Sequence, residues 1–167
     1  MRPTASPASP NLKKAGLKTF LSVLLLLVLD RVTKVYFLSR LQPGESVPVA
    51  GDAVRFTLVA NTGAAFGSLQ GNRALLTVLS AIILAVLLWL LLSGRISDRW
   101  SFAGITLMVS GALGNLIDRL YFGHVIDFID VDIPDILSWL PRWPVFNVSD
   151  SCITACIILV IASLLFR

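Results

Sequence analysis

The chain has 167 residues, about the length of one domain. Residues of the set AVILMFWYC make up 56% and charged residues 14%, whereas a soluble domain runs near roughly 45–50% and about 25%. That balance excludes a soluble globular domain, a disordered chain and a disulfide scaffold. The net charge is +4, but the 14 Lys and Arg punctuate apolar runs instead of collecting on one face, so no nucleic-acid partner is expected.

Residues 1–16, rich in Pro, Ser, Ala and Lys, cannot bury a core and read as a disordered tail. An apolar segment follows from Leu17 to Leu38, 22 residues or about 33 Å as a helix. Its uninterrupted part, Thr19–Leu29, has the length of a signal-peptide core behind Lys13, Lys14 and Lys18. No small-x-small cleavage site follows, and the helical pattern continues through Val32, Val35, Tyr36 and Phe37, so a spanning helix is expected over 17–38. Ala74–Leu92 is free of charge for 19 residues, Trp100–Ile117 for 18 and Ser151–Phe166 for 16. These predict spans over 74–92, 100–117 and about 150–166.

Arg2, Lys13, Lys14, Lys18, Arg95, Arg99 and Arg167 flank one set of helix ends, and the two long loops, 39–73 and 118–149, carry fewer basic residues over a greater length. Both termini are therefore expected in the cytoplasm and both loops outside it. Val47, Val49, Val54, Phe56 and Leu58 alternate in part, broken by Pro48 and Gly51-Asp52, which suggests a small strand pair within 47–66. Trp139 and Trp143, among Pro134, Pro141 and Pro144, suggest a short interfacial helix. The expected fold is mainly α: one membrane domain over 17–167, four transmembrane helices, a small extracytoplasmic β-sheet and that interfacial helix. Cys152 and Cys156 share a helical face and read as packing residues, while a single His124 and no Cys-x-x-Cys leave no zinc site. With no heptads or GxxxG in the spans, a monomer is expected.

Ionisable groups inside hydrocarbon are costly and ask for a reason. Counting along the helices, Asp30 lies about 18 Å and Lys34 about 24 Å above the inner surface, Asn115 about 22 Å, Asp118 and Arg119 about 27–28 Å, and Asp150 about 25 Å. Three helices thus bring polar groups to one depth in the outer third of the bilayer, which points to a shared site. Other readings stand beside it. Asp30 and Lys34, four apart, can neutralise each other on one helix face, and Asp118 and Arg119 can anchor a helix end at the interface. The cluster Asp127, Asp130, Asp132 and Asp135 lacks the order of a calcium loop, and its last three members read as a solvated face.

Asp127 and Asp150 stand out because each lies among apolar residues, in Val125-Ile126-Asp127-Phe128-Ile129 and Val145-Phe146-Asn147-Val148-Ser149-Asp150. Two such carboxyls brought together share one proton, which is what aspartic-type peptide hydrolysis needs. Spacing alone leaves open whether residues 128–149 hold the two apart.

Five blocks occur in order: Asp30-Arg31-Val32-Thr33-Lys34, Asn61-Thr62-Gly63-Ala64-Ala65-Phe66, Gly111 through Arg119 (with Asn115 and Asp118), Gly123-His124-Val125-Ile126-Asp127-Phe128, and Phe146-Asn147-Val148-Ser149-Asp150. In these the chain resembles bacterial lipoprotein signal peptidase (signal peptidase II) from about Leu17 to its end. Ser149 departs from the pattern, which most often has Ala there. The resemblance implies an inner-membrane aspartic endopeptidase that cuts diacylglyceryl-modified prolipoproteins before the lipid-bearing cysteine, with no metal or cofactor. It implies Asp127 and Asp150 as the catalytic pair, with Asn61, Gly63, Asn115, Arg119 and Asn147 lining the site and Asp30 and Lys34 supporting it. The sheet then acts as a lid or cradle over lipid-embedded substrate. A non-enzymatic membrane protein whose polar groups stabilise helix packing is the competing class.

Overall fold

The computed structural model describes residues 12–63, 72–96, 98–133 and 142–165. The first helix, α1 (Leu12–Arg40), is 29 residues long and begins within the stretch expected to be tail. It presents Phe20, Leu25, Val32 and Val35 to the outside while burying Asp30 and Lys34. The second helix, α2 (Arg73–Leu92), is capped by Asn72, whose side chain accepts from the Leu75 N–H at 3.4 Å. Asp98 caps α3 (Arg99–Tyr121) by accepting from the Ser101 N–H at 2.7 Å. This helix runs four residues beyond the span expected from hydropathy, so Asp118 and Arg119 are helical. The last helix, α4, covers Val148–Leu165. Among these, α2, α3 and α4 are long and apolar enough to cross a membrane.

Helix α3 is the centre of the bundle, and the other three helices pack against it. Against α2 it buries Leu84, Leu87, Val109 and Leu116. Toward α4 it presents glycine. A side chain at Gly111 would collide with the Ser149 carbonyl, and one at Gly114 with the Ser149 hydroxyl and, at 2.9 Å, with Asp30. These two glycines let α1, α3 and α4 converge, and the residue after Gly114 is Asn115.

At the end of the bundle where α3 finishes and α4 begins lies an antiparallel sheet in the order β1 (Ser46–Ala50), β2 (Val54–Asn61), β3 (Val125–Val131). The first two strands occupy the segment whose alternation suggested them. Strand β3 falls in the expected loop because its residues do not alternate; Val125 through Phe128 are all buried, covered on both faces. Phe128 stacks on Phe37 of α1 at 4.4 Å, and Leu58 and Ile126 complete that core, which seats the sheet on the helices. Residues 142–146 then run beside β3, exchanging backbone hydrogen bonds between Phe146 and Ile129 at 2.8 and 3.0 Å. The centre of the expected interfacial helix, including Trp139, lies outside the described residues, as does Asp135.

Candidate active site

Strand β3 and helix α4 meet at Asn147, and the local sequence explains why. Asn147-Val148-Ser149-Asp150 forms a reciprocal helix cap. The Asn147 side-chain oxygen accepts from the Asp150 N–H at 2.9 Å, and the Asp150 carboxylate accepts from the Asn147 N–H at 3.2 Å. The same Asn147 amide turns its Nδ2 to the Asp127 carboxylate at 2.6 Å. One asparagine therefore touches both carboxyl groups that the sequence singled out. Residues 128–149 do not hold them apart; they return the chain to its starting point.

Each carboxyl has a second amide. Asn61, at the end of β2, donates to Asp127 at 2.9 Å, and Asn115 on α3 donates to Asp150 at 2.7 Å. Asn115 can turn its Nδ2 that way because its oxygen is engaged from the other side, by Asn147 Nδ2 at 3.2 Å and Lys34 Nζ at 3.4 Å. Burial pushes the Asp127 carboxyl up to about 7, the neighbouring Asp150 charge adds to the rise, and the bonds from Asn61 and Asn147 offset part of it.

Behind the pair lies a second buried polar cluster of different character. Lys34 bridges Asp30 at 3.0 Å and Asp118 at 2.7 Å, and Arg31 reaches the same two carboxylates, each at 2.6 Å. Two anions and two cations balance. Backbone N–H groups add to these bonds, Ser149 donating to the other oxygen of Asp30 at 3.1 Å and Ile126 to the Asp118 oxygen that Lys34 also meets, at 3.1 Å. Asp118 is completely buried, so it ties α3 to α1 and β3; an interface anchor would reach outward to headgroups. Asp130, read from the sequence as part of a solvated face, is buried too, because Thr57 and Arg142 take up its oxygens at 2.8 and 2.7 Å.

A cavity of about 370 Å³ opens beside the pair, lined by Asn61, Gly63, Asn115, Arg119 and Asp150. Ser80 and Ile83 of α2 and Ile153 and Thr154 of α4 continue its walls. Arg119, next to Asp118 in sequence, faces the other way, toward Ser80 and the Gly63 carbonyl, each at 3.4 Å. Such long contacts leave much of its planar fork available for a guest. All nine site residues expected from the sequence thus meet here, seven around the cavity and the carboxyl pair and two, Asp30 and Lys34, in the cluster behind. Sequence reading missed Arg31, Ser80 and the strap 142–146. The spacing of Asn115 and Asp118, one helical turn apart, was the available signal for the ion cluster.

A bundle of apolar helices with a pair of carboxyls at one end, Asp127 buried and Asp150 at the wall of a cavity, defines a membrane protein with the donor set of an aspartic hydrolase. Comparison with known proteins agrees. The family model for signal peptidase (SPase) II matches residues 22–166. A lipoprotein signal peptidase of Mycobacterium avium (strain 104) is 38% identical over 170 residues, covering 97% of this chain and 87% of the relative. The lipoprotein signal peptidase of Halothermothrix orenii is 37% identical over 134 residues, covering 80% of this chain and 86% of its own. A bacterial membrane enzyme solved by the in meso method at 2.3 Å resolution superposes with a TM-score of 0.78 at 33% identity, over 89% of this chain and 87% of that one. The chain belongs to the signal peptidase II family, and so to the aspartic endopeptidases of bacterial membranes.

Proposed function

We propose that this chain removes the signal peptide from diacylglyceryl-modified prolipoproteins, cutting on the N-terminal side of the lipid-bearing cysteine, with Asp127 and Asp150 as the catalytic residues. The observation that carries this reading is Asn147, whose side-chain Nδ2 donates to the Asp127 carboxyl and whose backbone N–H donates to that of Asp150. Two carboxyls so held, in a buried site, hold one proton between them near neutral pH. The ionised member takes a proton from water, and the resulting hydroxide attacks the scissile carbonyl. The protonated member hydrogen-bonds that carbonyl oxygen, and the proton gained from water passes to the departing amine. Arg119 and the amides of Asn61 and Asn115 offer donors to the substrate backbone, and Gly63 permits its close approach. This chemistry calls for no metal or cofactor.

The substrate's signal helix and acyl chains lie in the bilayer, which suits a cavity walled by α2 and α4. In this reading α1 is the fourth span, its exposed Phe20, Leu25, Val32 and Val35 facing lipid. Both termini are cytoplasmic, the sheet covers the site from the extracytoplasmic side, and the enzyme acts as a monomer. Mass spectrometry of a lipidated precursor incubated with the purified protein tests the proposal. The wild type should release a peptide ending just before the modified cysteine, and Asp127→Asn should release none. Retained cleavage by that variant, or cleavage abolished by a metal chelator, would overturn the reading.

A further inference from the structure

The strap 142–146 carries the chain from beside the sheet to Asn147, and its position decides where that amide stands. Backbone bonds hold it along β3: the Trp143 N–H donates to the Val131 carbonyl at 3.0 Å, and Phe146 pairs with Ile129. So short an edge pairing is weak by itself. At its outer end one side chain pins it. Arg142 Nε donates to Asp130 Oδ1 at 2.7 Å, and its Nη1 donates to the Asp52 carbonyl oxygen at 3.0 Å. Asp130 is a firm post, because Thr57 Oγ1 on β2 donates to its other oxygen at 2.8 Å and the residue is buried. The pin therefore joins the strap to β3 and to the turn between β1 and β2. Four residues of the strap, Trp143 to Phe146, also line the cavity.

We propose that Arg142 is a positioning residue for peptide cleavage: by pinning the strap to the sheet it sets Asn147, with its side-chain Nδ2 on the Asp127 carboxyl and its backbone N–H on that of Asp150. The assignment deepens the proteolytic reading and rests on it. Its consequence is felt at Asp127, which Asn61 faces from β2, Asn147 from the strap, Asp150 from α4, Arg119 from α3 and the Lys34 charge from α1. Loosening the strap weakens the Asn147 bond, one of those that hold the Asp127 carboxyl down, so protons then bind Asp127 more tightly.

The test compares full-length wild type, Arg142→Ala, Arg142→Lys and the control Arg55→Ala, purified in detergent, for cleavage of a lipidated precursor across pH and for backbone hydrogen exchange. Arg55 pairs with the Asp52 side chain on the same turn. Arg142→Ala should cut about ten- to a hundredfold more slowly. The acid limb of its kcat profile should move up by about half a pH unit or more, and protection at Phe146 and Asn147 should fall. Arg142→Lys, which keeps the charge and not the fork, should restore part of each, and Arg55→Ala should match wild type. A wild-type pH profile and wild-type exchange in Arg142→Ala overturn the proposal, whatever happens to the rate; so does an equal shift in Arg55→Ala. If Arg142→Ala does not fold, Arg142→Lys carries the same readings at smaller size. A wild type that leaves the precursor uncut sinks the proteolytic reading instead, and the exchange comparison still decides whether Arg142 holds the strap.

Discussion

Asp30 and Asp118 on one side of Asn115, and Asp127 and Asp150 on the other, are four acids at one end of the same bundle, three of them buried and Asp150 half-buried at the cavity wall. The first two are matched by Lys34 and Arg31, charge for charge. The second two have each other and neutral amides from Asn61, Asn115 and Asn147. Company, more than residue type or depth, separates scaffold from chemistry. A cluster balanced charge for charge fixes helices in place; a pair met by neutral amides is the one the proposed chemistry uses.

Neutralising one acid in each cluster breaks the comparison most directly. Asp127→Asn or Asp150→Asn removes a proton carrier without stranding a charge. Cleavage should drop by about a thousandfold or more while the thermal midpoint holds or rises. Asp118→Asn should do the reverse, leaving Lys34 and Arg31 one anion short. The folded fraction falls, and cleavage per folded molecule falls far less. Activity normalised to folded protein reads the difference, and a fully folded, inactive Asp118→Asn would erase it.

Lys34→Met probes the compensated side from its cation. Asp30 and Asp118 would then share Arg31 alone, and an unmatched buried charge costs about 3–5 kcal/mol. Denaturation in detergent should show that loss, and a stability equal to wild type would mean the cluster is solvated.

A smaller effect concerns pH. Asp127 binds its proton more tightly folded, with a value of about 7, than unfolded, where it lies near about 3.9. For an acid raised in this way, stability is highest below the unfolded value and declines as pH climbs toward the folded one. The wild type's unfolding midpoint should therefore slope downward between about pH 4 and pH 7, and Asp127→Asn should flatten that slope. An unchanged slope would place the Asp127 carboxyl in contact with water.

These acids also show what a sequence discloses. Asp127 and Asp150 were legible because each sits among apolar residues, and the helices because long charge-free runs have one use. Strand β3 was not, since burial on both faces erases the alternation by which strands are recognised. Nor was the pairing of Arg142 with Asp130, which depends on a sheet register set by β2 and on a chain return of 12 residues. Sequence displays the cost of burying a polar group; it does not display which partner meets that cost.

Ser149 gives the finest test, because there the cost is unmet. Its hydroxyl is buried without a hydrogen-bond partner among the described residues, pressed against Gly114 at the α3–α4 contact. Its backbone N–H already serves Asp30 at 3.1 Å, a bond that any side chain at this position keeps. Ser149→Ala removes the stranded oxygen and nothing else, so the protein should gain about 1 kcal/mol. Cleavage should be unchanged, because that hydroxyl bonds to neither Asp127 nor Asp150. A loss of stability would mean that a water molecule satisfies the hydroxyl, and the compensated side of the site would then be wetter than the close approach at Gly114 allows.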